Sequence, residues 1–352
     1  MWPQGQEPGT AISPEPWLRG LDFLWLELTS RCNLRCSHCY ADAGPSLPQG
    51  MSHENWSRVL REAFDLGCRR VQFTGGEPSL YPDLPRLLGD ARRIGFDSVE
   101  VYTNGIRLSQ RLRNALIKEN VNLAFSVYGS QSQVHDAITG RQGSFEKTLK
   151  SIRWALKVGL KVRTSIIEMP SNADDIKATQ GLLRRFGVRS TYVDCVRAVG
   201  RGDGRVSTNG KDPWGELCGQ CWRQKLAIDP AGNVFPCVFA RFCNVGHVSQ
   251  SLASILNSEQ LYSFRKEVWK MNKRTKKSRS LRCAPHQQPP CAPDMKKMPC
   301  APDIKNLPCA PDVKKLPCAP DIKKLPCAPD IKKLRCAPDI EKPCAPDVEK
   351  KK

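Results

Sequence analysis

Three closely spaced cysteines are the strongest candidates for a functional site, because their residue type and spacing suit binding to a metal centre. Cys32, Cys36 and Cys39 form a C-x3-C-x2-C pattern directly after an apolar run at residues 23–28. Thiolates are soft ligands, and three of them within eight residues can hold three irons of a [4Fe–4S] cluster. The fourth iron then has no protein ligand and is open for chemistry. The simpler interpretation is three buried or zinc-bound cysteines, so the pattern needs support from its context.

A glycine-rich turn supplies that context. Gly75-Gly76-Glu77-Pro78 follows a predicted strand at residues 70–74. Glycines allow the backbone to approach a ligand closely, and a carboxylate can accept hydrogen bonds from an amine. By itself the turn could be an ordinary structural feature. At this distance after the three cysteines, the pair of motifs resembles the radical SAM superfamily, which uses S-adenosylmethionine (SAM).

The resemblance assigns roles to individual residues. It implies that the three cysteines bind the cluster and that the GGE motif contacts the amino group of SAM. Two further stretches, at residues 102–105 and 125–144, resemble the peptide-modifying branch of the superfamily. The predicted cofactor-binding residues are Gly75, Gly76, Glu77, Asn104, Ser126 and Arg141. His135 and Asp136 are expected to hold their loop in shape, and no catalytic acid or base is predicted.

Alternating hydrophobic patterns predict an α/β fold with six β/α units. The predicted strands cover residues 23–29, 70–74, 98–103, 121–127, 161–167 and 190–193, and the predicted helices cover residues 52–67, 84–94, 110–119, 145–158 and 173–186. Such alternation indicates a parallel sheet with helices outside. Six units resemble the partial (βα)6 barrel of radical SAM enzymes. The cysteine loop and the GGEP turn both follow strands, at the end of the sheet where such folds place their sites.

A second cysteine-rich region lies further along the chain. Asp229–Asn233 is predicted to be a hairpin turn between two short strands, which would bring Cys221 and Cys237 together. The predicted metal ligands are Cys218, Cys221, Cys237 and Cys243. The pattern resembles the first half of a SPASM domain, or its shorter twitch form, and implies one auxiliary [4Fe–4S] cluster. A structural zinc site is the alternative. Cys68 and Cys195 are expected to pack in the core.

The chain is predicted to have four parts. These are an N-terminal extension (1–20), a radical SAM core barrel (21–198), a small cysteine-rich β-hairpin domain (211–271) and a Cys/Pro repeat tail (283–352). Residues 199–210 are predicted to be a polar, glycine-rich linker. The tail repeats CAPDxKKxP with a nine-residue period from Cys291, and it is predicted to be disordered. It could be a low-complexity tail, complete the auxiliary cluster, bind metal or a partner, or be modified by the enzyme.

Composition limits the cellular setting and the partners. The net charge is +20, but about half of this excess lies in the last 82 residues, where no aromatic residue interleaves with the lysines. A nucleic-acid partner is therefore not expected. There is no apolar run of membrane-spanning length and no secretory signal pattern. Seventeen cysteines then favour metal ligands in a reducing compartment, so a cytoplasmic protein is predicted.

The family resemblance also implies an activity. Radical SAM enzymes cleave SAM reductively and use the resulting 5′-deoxyadenosyl radical to remove a hydrogen atom from a substrate. Most radical SAM enzymes with this domain arrangement modify peptides, as ribosomal natural-product maturases do. The resemblance therefore implies a peptide or protein substrate. A separate leader-recognition protein and a reductant such as flavodoxin or ferredoxin are the expected partners. The alternatives are a small-molecule or tRNA substrate, or a metal-binding scaffold that acts through its tail.

Overall fold

The computed structural model describes residues 18–202 and 212–275, and the six predicted strands form one parallel sheet within them. In chain order the strands are β1 (Phe23–Glu27), β2 (Arg70–Thr74), β3 (Ser98–Thr103), β4 (Asn122–Ser126), β5 (Val162–Glu168) and β6 (Ser190–Cys195). They lie side by side in the order β6-β5-β4-β3-β2-β1. Leu26 is in register with Phe73, and Phe73 with Val101. The α/β class and the six-unit alternation are confirmed.

Six helices accompany these strands. They are α1 (His53–Asp65), α2 (Leu84–Ile94), α3 (Gln110–Lys118), α4 (Ser132–Thr139), α5 (Ser144–Lys157) and α6 (Ile176–Arg185). Helix α1 begins where Ser52 accepts a hydrogen bond from the Asn55 amide, and it buries Trp56 and Leu60. Helix α4 was not predicted. It has only eight residues, which is too short for a clear helical hydrophobic pattern.

The second cysteine region adds three strands to the same sheet. These are β7 (Lys225–Ile228), β8 (Asn233–Phe235) and β9 (Gly246–His247). Strands β7 and β8 form the predicted antiparallel hairpin. Strand β7 also pairs in parallel with β1, with Leu24 opposite Leu226, so the sheet has nine strands. The hairpin therefore continues the barrel sheet and does not form a sheet of its own.

Two helices follow these strands, α7 (Leu252–Leu256) and α8 (Glu259–Thr275). Asn257 ends the first helix. The Ser258 hydroxyl accepts a hydrogen bond from the Leu261 amide at 3.3 Å, as a helix N-cap does. Among the described helices, none has the length and apolar character needed to cross a membrane.

Strand β1 separates two apolar clusters because both of its faces are buried. Leu24 and Leu26 belong to the main core under the barrel helices, whereas Phe23 and Trp25 belong to a smaller cluster that contains the second cysteine region. Alternate residues of a strand point to opposite faces. The first strand thus positions both cysteine regions. The four predicted domain boundaries stay predictions, and the repeat tail lies outside the described residues.

Candidate functional site

The first three cysteines lie on the loop after β1 and line one cavity at the carboxyl ends of the strands. They share a small apolar cluster with Leu34 and Ala43. Burial raises the pKa of the Cys32 thiol to about 12, and the negative charge of Glu77 adds to the shift. Burial raises the pKa of Cys36 as well. Such thiols lose their protons when a bound metal supplies positive charge, so the residues fit an iron–sulfur cluster.

Helix α4 supports the cysteine loop from one side. The amides of Arg35 and Ser37 donate to the carbonyl oxygens of Thr139 and Ile138, at 3.1 and 3.0 Å. These carbonyls belong to the last turn of the helix, where backbone acceptors have no partner within the helix. The helix that was missed from the sequence therefore positions the loop.

The start of the predicted linker supports the loop from another side. The Arg201 amide donates to the carbonyl oxygen of Cys39 at 2.9 Å. Its guanidinium donates to the carbonyl oxygen of Cys36 at 2.9 Å and to the Asp42 carboxylate at 2.7 Å. Gly200 has φ +60°, and a Cβ there would lie 2.5 Å from the carbonyl oxygens of Cys39 and Tyr40. The linker prediction is thus wrong for these residues, which pack tightly against the cysteine loop.

The two glycines of the GGEP turn are required by close backbone contacts. A Cβ on Gly76 would lie 2.2 Å from the Arg31 carbonyl oxygen, and one on Gly75 would lie 2.7 Å from that of Thr29. The Gly76 amide donates to Thr29 at 2.7 Å. Both glycines also line the cavity. They were predicted to let the backbone approach a ligand, and the structure adds that they let it approach the cysteine loop.

Glu77 is fully buried and joins the ends of two strands. Its carboxylate accepts hydrogen bonds from the Thr103 hydroxyl at 2.6 Å, the Asn104 amide at 2.8 Å and the Ser79 amide at 3.0 Å. Burial raises the pKa of Glu77, and these hydrogen bonds oppose the shift. Glu77 does not line the cavity. Its predicted contact with SAM stays a prediction, and in this geometry the backbone of the two preceding glycines faces the cavity instead.

Two other predicted residues line the cavity beside the cysteines. The Asn104 side chain donates to the Asn33 side chain at 2.7 Å and lies 3.8 Å from the Cys32 sulfur. Ser126 ends β4, and its hydroxyl lies 3.3 Å from that of Tyr102. Both residues therefore line the cavity beside the cysteines, and their predicted contact with SAM stays a prediction.

Arg141 lies outside the cavity lining and donates to the Asn33 carbonyl oxygen at 2.9 Å. It therefore holds the cysteine loop in this structure, and its contact with SAM stays a prediction. Asp136 accepts from the amides of Gly143 and Phe145 at 2.6 and 2.8 Å. His135 accepts from the Tyr128 amide at 3.1 Å. The expectation that His135 and Asp136 shape their loop is confirmed.

A buried polar network at the cavity wall was missed from the sequence. Arg163 donates two hydrogen bonds to Glu100, at 2.9 and 2.7 Å, and Gln72 donates to the same carboxylate. The guanidinium lies 5.3 and 5.8 Å from the ring centroids of Tyr102 and Tyr192. The signal available in the sequence is a buried polar or charged residue inside each of three strands: Gln72 in β2, Glu100 in β3 and Arg163 in β5.

The remaining cavity wall is mostly apolar and aromatic. Residues of both the barrel and the second cysteine region contribute to it: Trp25, Leu34, Tyr40, Tyr128, Ile167, Val196, Val238 and Phe239. Cys195 also lines the cavity, so its predicted core position is wrong. Cys68 is fully buried and donates to the Arg70 carbonyl oxygen at 3.3 Å, as expected of a core residue.

The four predicted auxiliary ligands converge in the smaller apolar cluster. Cys221 and Cys237 have sulfur atoms 3.0 Å apart, which confirms that the hairpin brings them together. Hydrogen bonds with Cys218 and Cys237, together with burial, raise the pKa of Cys221 well above its usual value. Cys243 packs against the same cluster. The four thiols supply the ligand types of an iron–sulfur or zinc centre, but within the described residues no three of them are already arranged around one metal position.

Polar atoms near these cysteines also fit a bound metal centre. Trp222 Nε1, Gln220 Oε1 and Arg265 Nε are buried and have no hydrogen-bond partner within the described residues. Buried polar groups normally have partners. An iron–sulfur cluster offers sulfur acceptors to the two N–H groups, and hydrogen bonds of this kind help to set its properties.

The two cysteine sites meet at an aromatic contact. Tyr40, which follows Cys39, packs edge-on against Phe239, with 5.3 Å between ring centroids. Beside them, Arg241 forms an ion pair with the buried Glu27 at the end of β1. The Arg241 guanidinium also lies 5.8 Å from the Tyr40 ring centroid. The cavity is therefore bounded on one side by the cysteine loop and on another by the second cysteine region.

Sequence comparison identifies both regions. Residues 26–183 match the model of the radical SAM superfamily, and residues 208–284 match that of the SPASM iron–sulfur cluster-binding domain. The chain is 28% identical over 264 residues to the antilisterial bacteriocin subtilosin biosynthesis protein AlbA of Bacillus subtilis, covering 66% of this chain and 58% of that one. It is 30% identical over 182 residues to the GTP 3′,8-cyclase of Chlorobaculum tepidum, covering 50% of this chain and 54% of that one. The chain thus spans little more than half the length of these two relatives.

Structure comparison gives the same fold. Streptococcus suis SuiB bound to its precursor peptide SuiA superposes with a TM-score of 0.59 at 16% identity, over 70% of this chain and 66% of that one. At this identity the likeness concerns the fold. Residues 26–183 are thus a radical SAM domain, a type that implies a [4Fe–4S] cluster and SAM, and residues 208–284 match a SPASM iron–sulfur cluster-binding domain.

Proposed function

We propose that the chain is a radical SAM enzyme that modifies a peptide or protein, of the kind that matures ribosomal natural products. The observation that carries the proposal is one cavity lined by all three loop cysteines, the Gly75-Gly76 backbone and the side chains of Asn104 and Ser126. When bound, the cluster and SAM supply a radical that removes a hydrogen atom from the substrate.

In this proposal the chain's own residues bind the cluster and SAM, orient them, and shield the radical from water. Cys32, Cys36 and Cys39 hold the cluster. Gly75, Gly76, Asn104 and Ser126 contact SAM from the cavity wall. Glu77 and Arg141 fix the backbone of the turn and the loop behind it, and their contact with SAM stays a prediction. The apolar and aromatic wall keeps water from a reactive radical, which prevents side reactions.

The cavity wall carries its charges in pairs. Arg163 is paired with Glu100, and Arg197 with Asp194 at 2.7 Å. Pairing leaves the wall close to neutral at any pH where both carboxylates are ionised. A site that removes a hydrogen atom needs no general acid or base, so a neutral wall suits radical chemistry.

A peptide substrate is supported by the relatives and by the form of the cavity. The longer of the two sequence matches is to a bacteriocin biosynthesis protein, and SuiB has been seen with its precursor peptide. Both the barrel and the second cysteine region contribute to the cavity wall. In this proposal Cys218, Cys221, Cys237 and Cys243 hold one auxiliary cluster that takes an electron from the substrate or binds it. A leader-recognition protein and a reductant such as flavodoxin or ferredoxin complete the system.

The test uses the full chain, purified and reconstituted without oxygen. Iron per chain and 5′-deoxyadenosine release from SAM and dithionite are measured beside a Cys32→Ala/Cys36→Ala/Cys39→Ala variant. Cys68→Ala is the matched control, since it removes a buried cysteine away from both sites. About eight irons per chain and deoxyadenosine release that depends on the three cysteines are expected for two clusters.

The other outcomes separate the alternatives. About four irons with normal turnover would make the auxiliary region a zinc or structural site. An intact cluster that releases no deoxyadenosine would overturn the enzyme proposal. Mass spectrometry of candidate precursor peptides and of GTP in the same reaction then distinguishes a peptide from a small-molecule substrate. Truncation after Arg282 tests the tail: if SAM cleavage is lost, the protein depends on its tail.

A further inference from the structure

Arg265 on helix α8 is a buried cation without a carboxylate partner. Its side chain is fully buried, and no Asp or Glu among the described residues pairs with it. Its guanidinium donates only to backbone carbonyl oxygens: those of Leu18 at 2.7 Å, Gly20 at 3.0 Å and Lys225 at 3.0 Å. Carbonyl groups are dipoles, so they solvate the cation without neutralising it. Arginine stays protonated in proteins, and a buried charge normally has a counter-charge.

Arg265 interacts electrostatically with Cys221, one of the predicted auxiliary ligands. Burial lowers the pKa of Arg265 to about 9, and the negative charge of the Cys221 thiolate acts in the opposite direction. Phe264, its neighbour in α8, belongs to the same apolar cluster as Cys221 and Cys237. Lys225, whose carbonyl oxygen it binds, begins the strand that follows Cys221.

One donor atom of Arg265 has no acceptor. The Nε–H group is buried and unpartnered within the described residues, as is the Nε1–H group of Trp222, which follows Cys221 directly. Two unpartnered donors beside one set of cysteines indicate an acceptor that the polypeptide does not supply. Cluster sulfur atoms would accept both hydrogen bonds.

We propose that Arg265 is the buried counter-charge of an anionic iron–sulfur cluster held by Cys218, Cys221, Cys237 and Cys243. The proposal rests on the auxiliary centre of the proposed function. Four thiolates give such a cluster a net negative charge, and reduction adds to it. A fixed positive charge in a low-dielectric environment therefore favours the reduced state and raises the reduction potential. Arg265 is a positioning and tuning residue and does not contact the substrate.

The test is made in the full chain with Cys32, Cys36 and Cys39 all changed to alanine, so that only the auxiliary centre remains. Arg265→Gln removes the charge, and Arg265→Lys keeps it. Arg223→Gln is the matched control, because Arg223 lies two residues after Cys221 but is exposed. Metal content, redox titration followed by electron paramagnetic resonance, and the rate of metal release to a chelator are measured without SAM or substrate.

Arg265→Gln is expected to lower the ratio of reduced to oxidised cluster at least tenfold at a fixed potential, which is about 59 mV for a one-electron couple. Arg265→Lys and Arg223→Gln are expected to stay within about threefold of the parent. A centre that holds zinc instead of iron overturns the proposal; for an iron centre, the same order of variants is expected in the rate of metal release. Parent-like behaviour of Arg265→Gln in both measurements overturns the proposal.

The lysine variant separates charge from structure. If Arg265→Gln does not fold but Arg265→Lys folds and keeps the parent potential, the charge is responsible. If neither variant folds, or both change the reduction potential equally, Arg265 acts only through its carbonyl hydrogen bonds and the proposal is overturned. A parent that binds no metal at all would remove both the proposal and the auxiliary cluster. Deoxyadenosine release by the unmodified chain would still test the radical SAM activity separately.

Discussion

The two cysteine sites of this protein are built in different ways. The SAM-type site takes its three cysteines from one loop, and backbone contacts from α4, from the GGEP turn and from Gly200–Arg201 hold that loop. The auxiliary site takes its four cysteines from two separate turns that a hairpin brings together inside an apolar cluster. The first site faces a cavity; in the second, Cys221 and Cys237 are buried, and Cys218 and Cys243 are partly buried.

This difference follows from what each site must do. A cluster that binds SAM needs an open iron, so its ligands lie on one side and the loop must be held from outside. A closed cluster is held by ligands from several directions, and its surroundings set its charge balance and potential. The expected effects of substitutions differ accordingly: backbone changes should damage the first site, whereas charge changes should alter the second.

The largest expected effect is that of Gly76→Ala. Its Cβ would lie 2.2 Å from the Arg31 carbonyl oxygen, so the start of the cysteine loop must move. We expect loss of the SAM-binding cluster and a fall in deoxyadenosine release of more than about 100-fold, because small displacements in an active site have such costs. Gly215→Ala is the control, since a Cβ there meets nothing within 4 Å. Iron analysis with retained auxiliary iron would confirm that the damage is local, and loss of all iron would contradict it.

The second-largest expected effect is a loss of stability at acidic pH, caused by His135. Burial lowers the pKa of His135 to about 4, below its usual 6.5. The unfolded chain therefore binds a proton that the native chain does not, and stability falls as the pH drops from 6.5 towards 4. The loss is on the order of 3 kcal/mol if the whole shift acts on global unfolding.

The measurement for His135 is denaturant unfolding at pH 7 and pH 5. His135→Asn keeps an acceptor for the Tyr128 amide but cannot be protonated, so its stability should change less between the two pH values. His247→Asn is the control, because His247 is exposed and lies in the auxiliary region. Equal pH dependence of the parent and His135→Asn would show that His135 does not contribute.

The Gly200–Arg201 contact shows where sequence-based prediction stops. The strands and most helices were predicted from local patterns of apolar alternation and caps. The seven cysteines named as ligands from their short spacings and the family resemblance stay predictions. Arg201 was assigned to a linker because its contact with Cys36 joins residues 165 positions apart. The pairing of β1 with β7 joins residues that lie still further apart in the chain, such as Phe23 and Lys225. Nothing near these residues in the sequence indicates such partners, so only the folded structure reveals them.

Removal of the Arg201 side chain should have an intermediate effect on the SAM-type site alone. Arg201→Met loses the hydrogen bonds to Cys36 and Asp42, which are charge-assisted and part-exposed. We expect about tenfold slower deoxyadenosine release, equivalent to about 1.4 kcal/mol, with the auxiliary potential unchanged. Arg189→Met, at an exposed position before β6, is the control. An equal change at both clusters would mean that the two sites are not independent.

The smallest expected effect tests the contact between the sites. Phe239 lines the cavity and packs against Tyr40, and the Arg197 guanidinium lies 5.4 Å from its ring centroid. Phe239→Leu keeps the wall apolar but loses the aromatic edge contact, worth about 1 kcal/mol. Deoxyadenosine release should stay within about twofold of the parent, because a wall residue two positions after Cys237 does not hold the SAM-type loop. Product formed per deoxyadenosine should fall severalfold, since the substrate then sits less firmly between the sites.

Phe242→Leu, exposed and outside the cavity, should change neither quantity. If Phe239→Leu lowers both quantities equally, the aromatic contact supports the SAM-type loop itself, and the two cysteine sites act as one structural unit.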